Sequence, residues 1–526
     1  MTAEVTLLRH ADVLVLGGGP AGAWAAIAAA GTGADVVLAD KGYCGTSGSA
    51  AVGGNNLWYL PPDPALREAA MDAREAIAGR LTERRWMERV IEETYHQIGR
   101  LAGWGYPFPV DEGGVERRGS LQGPEYMRRM RRKAHRSGVR ILDHHPALEL
   151  LATPDGTAVG AAGIRRQDGG GRWEVRAGAV VLATGGCAFL SGAFGLDVDT
   201  GDGHLMAAEL GAELSGMEFS NAYALSPAYG AHTKGLMMQF ASYYDEDGRP
   251  LDLGDMGTAR QAVARLLADG RQVLARLDQA PPGLREAMRR SQPNYFLPLD
   301  KAGIDPFTQA YPVRLVMEGT VRGTGGLRVV GEDCATTVPG LYAAGDVATR
   351  ELITGSVSGG GSHNGAWAIS SGTWAGTAAA AFATRGEGRA RSRPAGRAGL
   401  RPHGLATGAA AEVVRAVQDE VLPLDRNYFR TAAGLRRSLT SLDRLWTDVA
   451  AHLAGEGRGA LRARQAAAMV AHGRWMYRAA LARAESRGMH QRLDRPEADP
   501  RLARRIRIGG LDEVWTAPEE PKEAVA

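Results

Sequence analysis

The sequence predicts an α/β fold that is interrupted by an inserted α+β capping segment and followed by a helical region. Three observations carry that prediction. An apolar run at residues 12–16 leads into Gly17-Gly18-Gly19-Pro20-Ala21-Gly22 and then into a small-residue helix at 23–30. Further apolar strands end in glycine at 179–186 and 338–346. Between them, residues 221–319 shift toward aromatic residues, prolines and short helices before the glycine-rich pattern resumes.

In chain order, a strand ending at Leu16 needs a tight turn, which Gly17 permits. Gly19 removes a Cβ where backbone must approach a pyrophosphate, and Gly22 lets the helix lie close to the strand. Pro20 and Ala21 open that helix, whose N-terminus faces the phosphates. A second strand at 35–39 ends at Asp40, about 20 residues past the glycines, where a carboxylate accepts hydrogen bonds from a ribose. Asp40 also argues against a bound 2′-phosphate. Strand, glycine turn, helix, strand and acid in that order describe a Rossmann-like dinucleotide-binding unit.

Residues 41–54, including Lys41, Ser47, Ser49, Gly53 and Gly54, are dense in small side chains, as a loop pressed against a flat ligand requires. Helical periodicity runs over 64–103 and 124–137, and strands return at 139–142 and as a meander over 147–175. The strand at 179–182 continues into Ala183-Thr184-Gly185-Gly186, the pattern of a buried parallel strand delivering backbone to a cofactor. Thr200-Gly201-Asp202-Gly203 opens another helix. In the insert, helices are expected at 258–275 and 284–290. Gly325-Gly326 begins the return, a strand ends at Asp346, and the glycine-rich loop 355–365 feeds a helix reaching 383. The expected divisions are a cofactor domain from 5–220 and 320–385, a cap at 221–319, a linker at 386–408 and a helical region at 409–526.

A chain of 526 residues exceeds what one hydrophobic core usually serves. Its 62 basic and 59 acidic residues nearly balance, with no long single-sign block, so a nucleic-acid groove is not expected. Cys44, Cys187 and Cys334 are far apart and form no C-x-x-C pair, which argues against a disulfide framework, a metal site or an iron–sulfur cluster held by this chain alone. Reduced thiols point to the cytoplasm. The first apolar run is broken by glycines and Pro20, so neither a signal peptide nor an integral membrane segment is expected.

The fingerprint over 17–40, Ala183-Thr184-Gly185-Gly186, Thr200-Gly201-Asp202-Gly203, Gly340-Leu341-Tyr342-Ala343-Ala344-Gly345-Asp346 and Glu485-Ser486-Arg487-Gly488-Met489-His490 occur in this order over nearly the whole chain. Together they resemble the FAD-binding flavoprotein superfamily of fumarate reductase, succinate dehydrogenase, L-aspartate oxidase and adenylylsulfate reductase. The resemblance implies an FAD-binding domain with Gly17, Gly19 and Gly22 at the pyrophosphate and Asp40 at the adenosine ribose. It implies Ser47, Ser49, Gly53 and Gly54 near the isoalloxazine, Asp202 on the adenosine side, Asp346 at the ribitol and Ser362 near the flavin pyrimidine. Ser47 stands where succinate dehydrogenases carry the histidine that bonds FAD, so noncovalent FAD is implied.

The departures bear on substrate. Family members that handle four-carbon dicarboxylates present arginines and histidines to the carboxylates. At those places this chain reads 221–227 as Asn-Ala-Tyr-Ala-Leu-Ser-Pro, 239–244 as Gln-Phe-Ala-Ser-Tyr-Tyr, and Ser358. Without that clamp, succinate and fumarate are not expected as substrates. The implied activity is FAD-dependent hydride transfer to or from another small metabolite, across a C–C or C–N bond. The alternatives are the catalytic subunit of an adenylylsulfate-reductase-like pair with a separate iron–sulfur or ferredoxin-like partner, and a flavin-binding sensor or assembly protein without turnover.

Four side chains are candidates for catalysis. His363, in the glycine-rich loop, either faces the pocket or bonds backbone at the helix start. Arg322 and Arg328 flank the return from the insert and either touch substrate or form ion pairs. His232 lies at the start of the insert with Lys234, among Tyr223, Tyr229, Tyr243 and Tyr244, which serve either as core or as a substrate cage. Glu485, Arg487 and His490 are expected to lock the C-terminal helices onto the cofactor domain.

Overall fold

The computed structural model describes residues 5–111, 113–167, 169–233, 235–253, 256–384 and 392–520; Lys234 and the part of the expected linker up to 391 lie outside the described residues. Strand Val5–Leu16 sits inside an eight-stranded sheet. It runs parallel to Val36–Ala39, with Leu14 opposite Val37, and to Arg172–Leu182, with Leu14 opposite Val180. Arg140–Leu142 and Leu341–Ala343 extend the parallel part. Ala158–Ile164, Ala147–Ala152 and Arg393–Pro394 continue it antiparallel. Val13, Leu14, Val15 and Leu16 are each 1% exposed or less, because a parallel strand is covered on both faces and shows no alternation.

Helix Pro20–Gly31 lies along the long helix Gly360–Ala383, which also packs on the central strands. A Cβ added at Gly372 or Gly376 would overlap the carbonyl oxygens of Ala21 and Ala25, so the helices touch backbone to backbone. The small-residue composition of both helices makes that approach possible.

The insert forms a five-stranded antiparallel sheet in the order Ala222–Pro227, Tyr311–Glu318, Leu274–Arg276, Ser242–Tyr244, Pro250–Leu251. Its core, including Val263, Val273, Leu277, Phe296, Leu299 and Tyr311, is separate from the main one. The expected helix at 258–275 spans Met256–Ala268 instead. Gly270, at φ +77°, takes the left-handed position that ends it, with the amides of Gly270 and Arg271 returning to the carbonyls of Leu267 and Leu266. The periodicity over 64–103 likewise divides into Pro64–Ile77 and Arg84–Gly103.

Helices Ala410–Val421, Ala432–His452 and Arg458–Ala482 form the C-terminal region and share one continuous core with the main sheet. Buried ions tie the regions together. Arg483 bonds Glu218 at 2.7 Å and Glu485 at 3.0 Å, and Arg487 bonds Glu485 at 2.7 Å and the Gly79 carbonyl at 2.6 Å. The Met489 amide donates to the Ser356 carbonyl at 2.9 Å, fastening this segment to the loop ahead of Gly360–Ala383.

Candidate active site

A cleft crosses the C-terminal ends of the parallel strands, where open α/β sheets place their ligands. Gly17, at φ +107°, turns the chain out of the first strand, and an added Cβ there would overlap the Ala183 carbonyl oxygen. At Gly22 it would overlap the Gly17 carbonyl, so Gly22 serves helix packing and does not line the cleft. An added Cβ at Gly19 would meet nothing within 4 Å, because this residue faces open cleft. Helix Pro20–Gly31 has no side-chain cap, which leaves its first amides pointing free at its N-terminus.

At one end of the cleft, Asp40 is buried. Its carboxylate accepts the Gly18 amide at 2.6 Å, the Gly42 amide at 2.7 Å and the Ser47 hydroxyl at 3.1 Å. Lys41 pairs with Asp202 and donates to the Val198 carbonyl at 2.7 Å. Burial, then the charge of Asp346, pushes the Asp199 carboxyl well above the usual range. Asp346 is paired with Arg350 at 2.6 Å. Ser49, Gly54, Ala183, Thr184 and Gly185 also line the cleft. Gly53 does not: its carbonyl accepts the Gly123 amide at 2.9 Å.

Two buried oxygens in the wall have no hydrogen-bond partner among the described residues: Thr184 Oγ1 and Asn364 Oδ1. Asn364 Nδ2 donates to the Val321 carbonyl at 3.0 Å, which settles the orientation of the amide. Unpaired buried oxygens, uncapped amides and an open glycine face together fit a long polar ligand with phosphates, and FAD is such a ligand.

A second chamber, about 460 Å³, lies between the insert, the C-terminal region and the glycine-rich loop. It meets the first cleft at Gly54, Arg322 and Gly361, which line both. The Arg322 guanidinium faces Glu318 at 3.7 Å, and Glu318 accepts the Thr233 hydroxyl at 2.7 Å. Asn221 is 2% exposed; its Nδ2 donates to the carbonyls of Asn427 and Met489 at 2.9 and 3.1 Å, and its Oδ1 has no partner among the described residues. Tyr223 and Tyr428, Leu225 and Met238 supply apolar wall. Two arginines do reach this chamber, Arg322 and Arg260, from segments other than those searched for a carboxylate clamp; among the described residues no histidine lines it.

Three of the four catalytic candidates stand elsewhere. His363 lies outside both linings: Nδ1 bonds the Gly359 carbonyl at 2.9 Å and the ring packs on Trp58 with centroids 4.3 Å apart. The cause is helical phase, since Gly361, Asn364, Gly365 and Ala368 share the face toward the cleft and His363 is rotated off it. Arg328 is taken by Glu213 at 3.2 Å and Glu519 at 3.0 Å. His232 is buried in the insert between Phe194 and Tyr295, with ring centroids 6.2 and 5.8 Å away. Ser362 also turns from the cleft, its carbonyl accepting the Trp58 amide at 3.0 Å. Arg322 alone of the four lines the junction. Sequence reasoning passed over Arg260, Asp199 and Asn364 and read Asn221 only as part of a missing carboxylate clamp; Asn364 carried a signal in its helical spacing from Gly361.

Comparison with known proteins matches the family described as FAD binding domain over residues 12–363, and that described as fumarate reductase flavoprotein C-term over 419–511. L-aspartate oxidase of Mycobacterium leprae is 29% identical over 545 residues, covering 94% of this chain and 95% of that protein. The fumarate reductase flavoprotein subunit of Mycobacterium tuberculosis is 27% identical, covering 64% of each. Among solved structures, E. coli quinol fumarate reductase superposes with TM-score 0.80 at 21% identity over 99% of this chain and 98% of that one. Adenylylsulfate reductase from Archaeoglobus fulgidus gives TM-score 0.77 at 19% identity over 98% and 96%. No described helix is long and apolar enough to cross a membrane. The chain belongs to the FAD-binding flavoprotein family of fumarate reductase and L-aspartate oxidase, and is an FAD-dependent oxidoreductase.

Proposed function

We propose that this chain binds FAD noncovalently in the first cleft and oxidises or reduces a small anionic metabolite, other than succinate or fumarate, in the second chamber. The observation that carries the reading is the junction at Gly54, Arg322 and Gly361, where one guanidinium borders both cavities. Accepting or giving hydride is the chemistry a bound FAD supplies there. The Gly17 turn and the free amides of helix Pro20–Gly31 hold the pyrophosphate, and Asp40 the adenosine ribose. Asn364 gives its unpaired amide oxygen to the cofactor. The Ser47 hydroxyl donates to Asp40 at 3.1 Å, so Ser47 belongs to the adenosine end of the cleft and not to the isoalloxazine end that the resemblance implied.

Arg322 takes the substrate's anionic group, oriented by Glu318, and Asn221 Oδ1 accepts an N–H from the substrate. The Tyr223 hydroxyl is committed to the carbonyls of Val421 and Leu422, both at 3.0 Å, so Glu318 is the carboxylate available to hold a proton. An N–H acceptor beside an anion site favours oxidation at a C–N bond, as does the likeness to L-aspartate oxidases. The cap, taken as 221–319, admits substrate and excludes water by moving. Electrons pass on to oxygen, a small acceptor or an iron–sulfur or ferredoxin-like partner.

Acid precipitation of the yellow protein should release FAD into the supernatant, whereas flavin in the pellet would refute noncovalent binding. Anaerobic bleaching of the flavin by a panel of amino and hydroxy acids identifies the substrate. Arg322→Met should keep its FAD and lose about 10²-fold in kcat/KM, the scale of a charge-assisted contact of 2–3 kcal/mol. Unchanged kcat/KM, or rapid bleaching of wild type by succinate, would overturn the assignment.

A further inference from the structure

We propose that Trp367, Trp86 and Trp374 form a path for single electrons between the cofactor cleft and the protein surface, an activity beside the hydride chemistry that rests on FAD occupying that cleft. The three indoles are in close succession. Ring centroids are 5.9 Å apart for Trp86 and Trp367, 5.9 Å for Trp86 and Trp374, and 6.5 Å for Trp367 and Trp374, all edge-on. Trp367 is the inner end. It is fully buried, sits between the wall residues Asn364 and Ala368 on helix Gly360–Ala383, and donates Nε1–H to the carbonyl of Gly345, itself in the wall, at 3.2 Å. Trp374, further along the same helix, is the outer end. It is half-buried and donates Nε1–H to the Glu93 carboxylate at 2.9 Å.

Packing explains three apolar rings but not the difference between their polar ends. An indole that loses one electron becomes strongly acidic at Nε1. The peptide oxygen on Trp367 is too weak a base to take that proton, so a hole there stays a cation. The carboxylate on Trp374 can take it. The Arg89 guanidinium lies over both Trp86 and Trp374, 4.8 and 4.1 Å from the ring centroids, and opposes positive charge on those rings. It therefore favours the deprotonated, neutral form at the outer end. The gradient runs outward, from a hole that cannot shed its proton to one that can.

Under blue light one electron leaves Trp367 for the excited flavin. Trp374 refills Trp367, directly or through Trp86, and passes its Nε1 proton to Glu93. A thiolate at the surface then gives Trp374 one electron, becoming a thiyl radical, while Glu93 returns the proton. One electron has then passed from the thiolate to the flavin, both indoles are restored and the Nε1 proton is back on Trp374.

The test is laser flash absorption on the FAD-loaded protein, with FAD content and thermal midpoint recorded for each variant. Wild type should show a neutral tryptophan radical that outlives the flash and disappears faster as thiol is added. Trp374→Phe should keep its FAD and midpoint but lose the long-lived signal, and Glu93→Gln should replace the neutral radical spectrum with that of the cation. A flavin-loaded wild type without any tryptophan radical, or a Trp374→Phe protein with an unchanged long-lived one, overturns the path alone. A chain that takes up no flavin overturns the cofactor assignment as well.

Discussion

A rotation about one helix axis separates His363 from a ligand that its neighbour Asn364 can reach. Burial, then the charge of Arg74, lowers the His363 imidazole from 6.5 to about 4. Its folded pKa lies below the unfolded one, so the unfolded chain takes up the proton first. The resulting stability is complete above about pH 6.5 and is lost as pH falls toward 4, about 3 kcal/mol in all. The thermal midpoint should therefore fall over that window, and His363→Gln should flatten the fall; parallel curves for the two proteins would show that His363 does not contribute. At this scale the glycine fingerprint was legible because strand, glycines, helix and Asp40 follow one another within one βαβ unit, although Gly17 answers to the distant Ala183 carbonyl and Gly19 to open cleft. Arg328 was not, since Glu213 and Glu519, which neutralise it, lie far off in sequence. The electrostatics of His363 were hidden too, because Arg74 reaches the glycine-rich loop from another helix, donating to the Val357 carbonyl at 2.6 Å.

Between elements, the crossing of Pro20–Gly31 with Gly360–Ala383 fixes where the cleft lies, because each helix supplies part of its wall. Gly372→Ala would push a methyl into the Ala21 carbonyl, and the cost of such overpacking is about 1–3 kcal/mol. Denaturant unfolding should show that loss together with weaker FAD retention, whereas unaltered stability would mean the helices separate freely. Apolar runs and small-residue helices were readable at this scale from periodicity. Helix ends were read less well. The helix expected through 275 stops at Ala268 because Asp269-Gly270 closes it, and the residues beyond it pair in a sheet whose partners are distant in sequence. A pattern of side chains carries no register for such pairings.

For the molecule as a whole, the sheet and the C-terminal helices share one core, and Arg483 is one of the buried ions that join them. Arg483→Met would strand Glu218 without its ion partner, while Glu485 keeps Arg487, a loss of about 3–5 kcal/mol. Chemical denaturation of FAD-loaded protein should show it, and a loss below 1 kcal/mol would exclude the bridge as a main fastening. The mixed α/β fold and the C-terminal helical region were legible in the sequence, but the second chamber was not, because its walls come from the insert, the glycine-rich loop and the last hundred residues at once. The bond from Met489 to Ser356 has a consequence during synthesis. At roughly 5–20 residues per second, a ribosome takes about half a minute to a minute and a half to pass from the glycine fingerprint to Met489. Throughout that interval the second chamber lacks this wall, so it closes later in synthesis than the cofactor cleft, whose lining ends at Ala368.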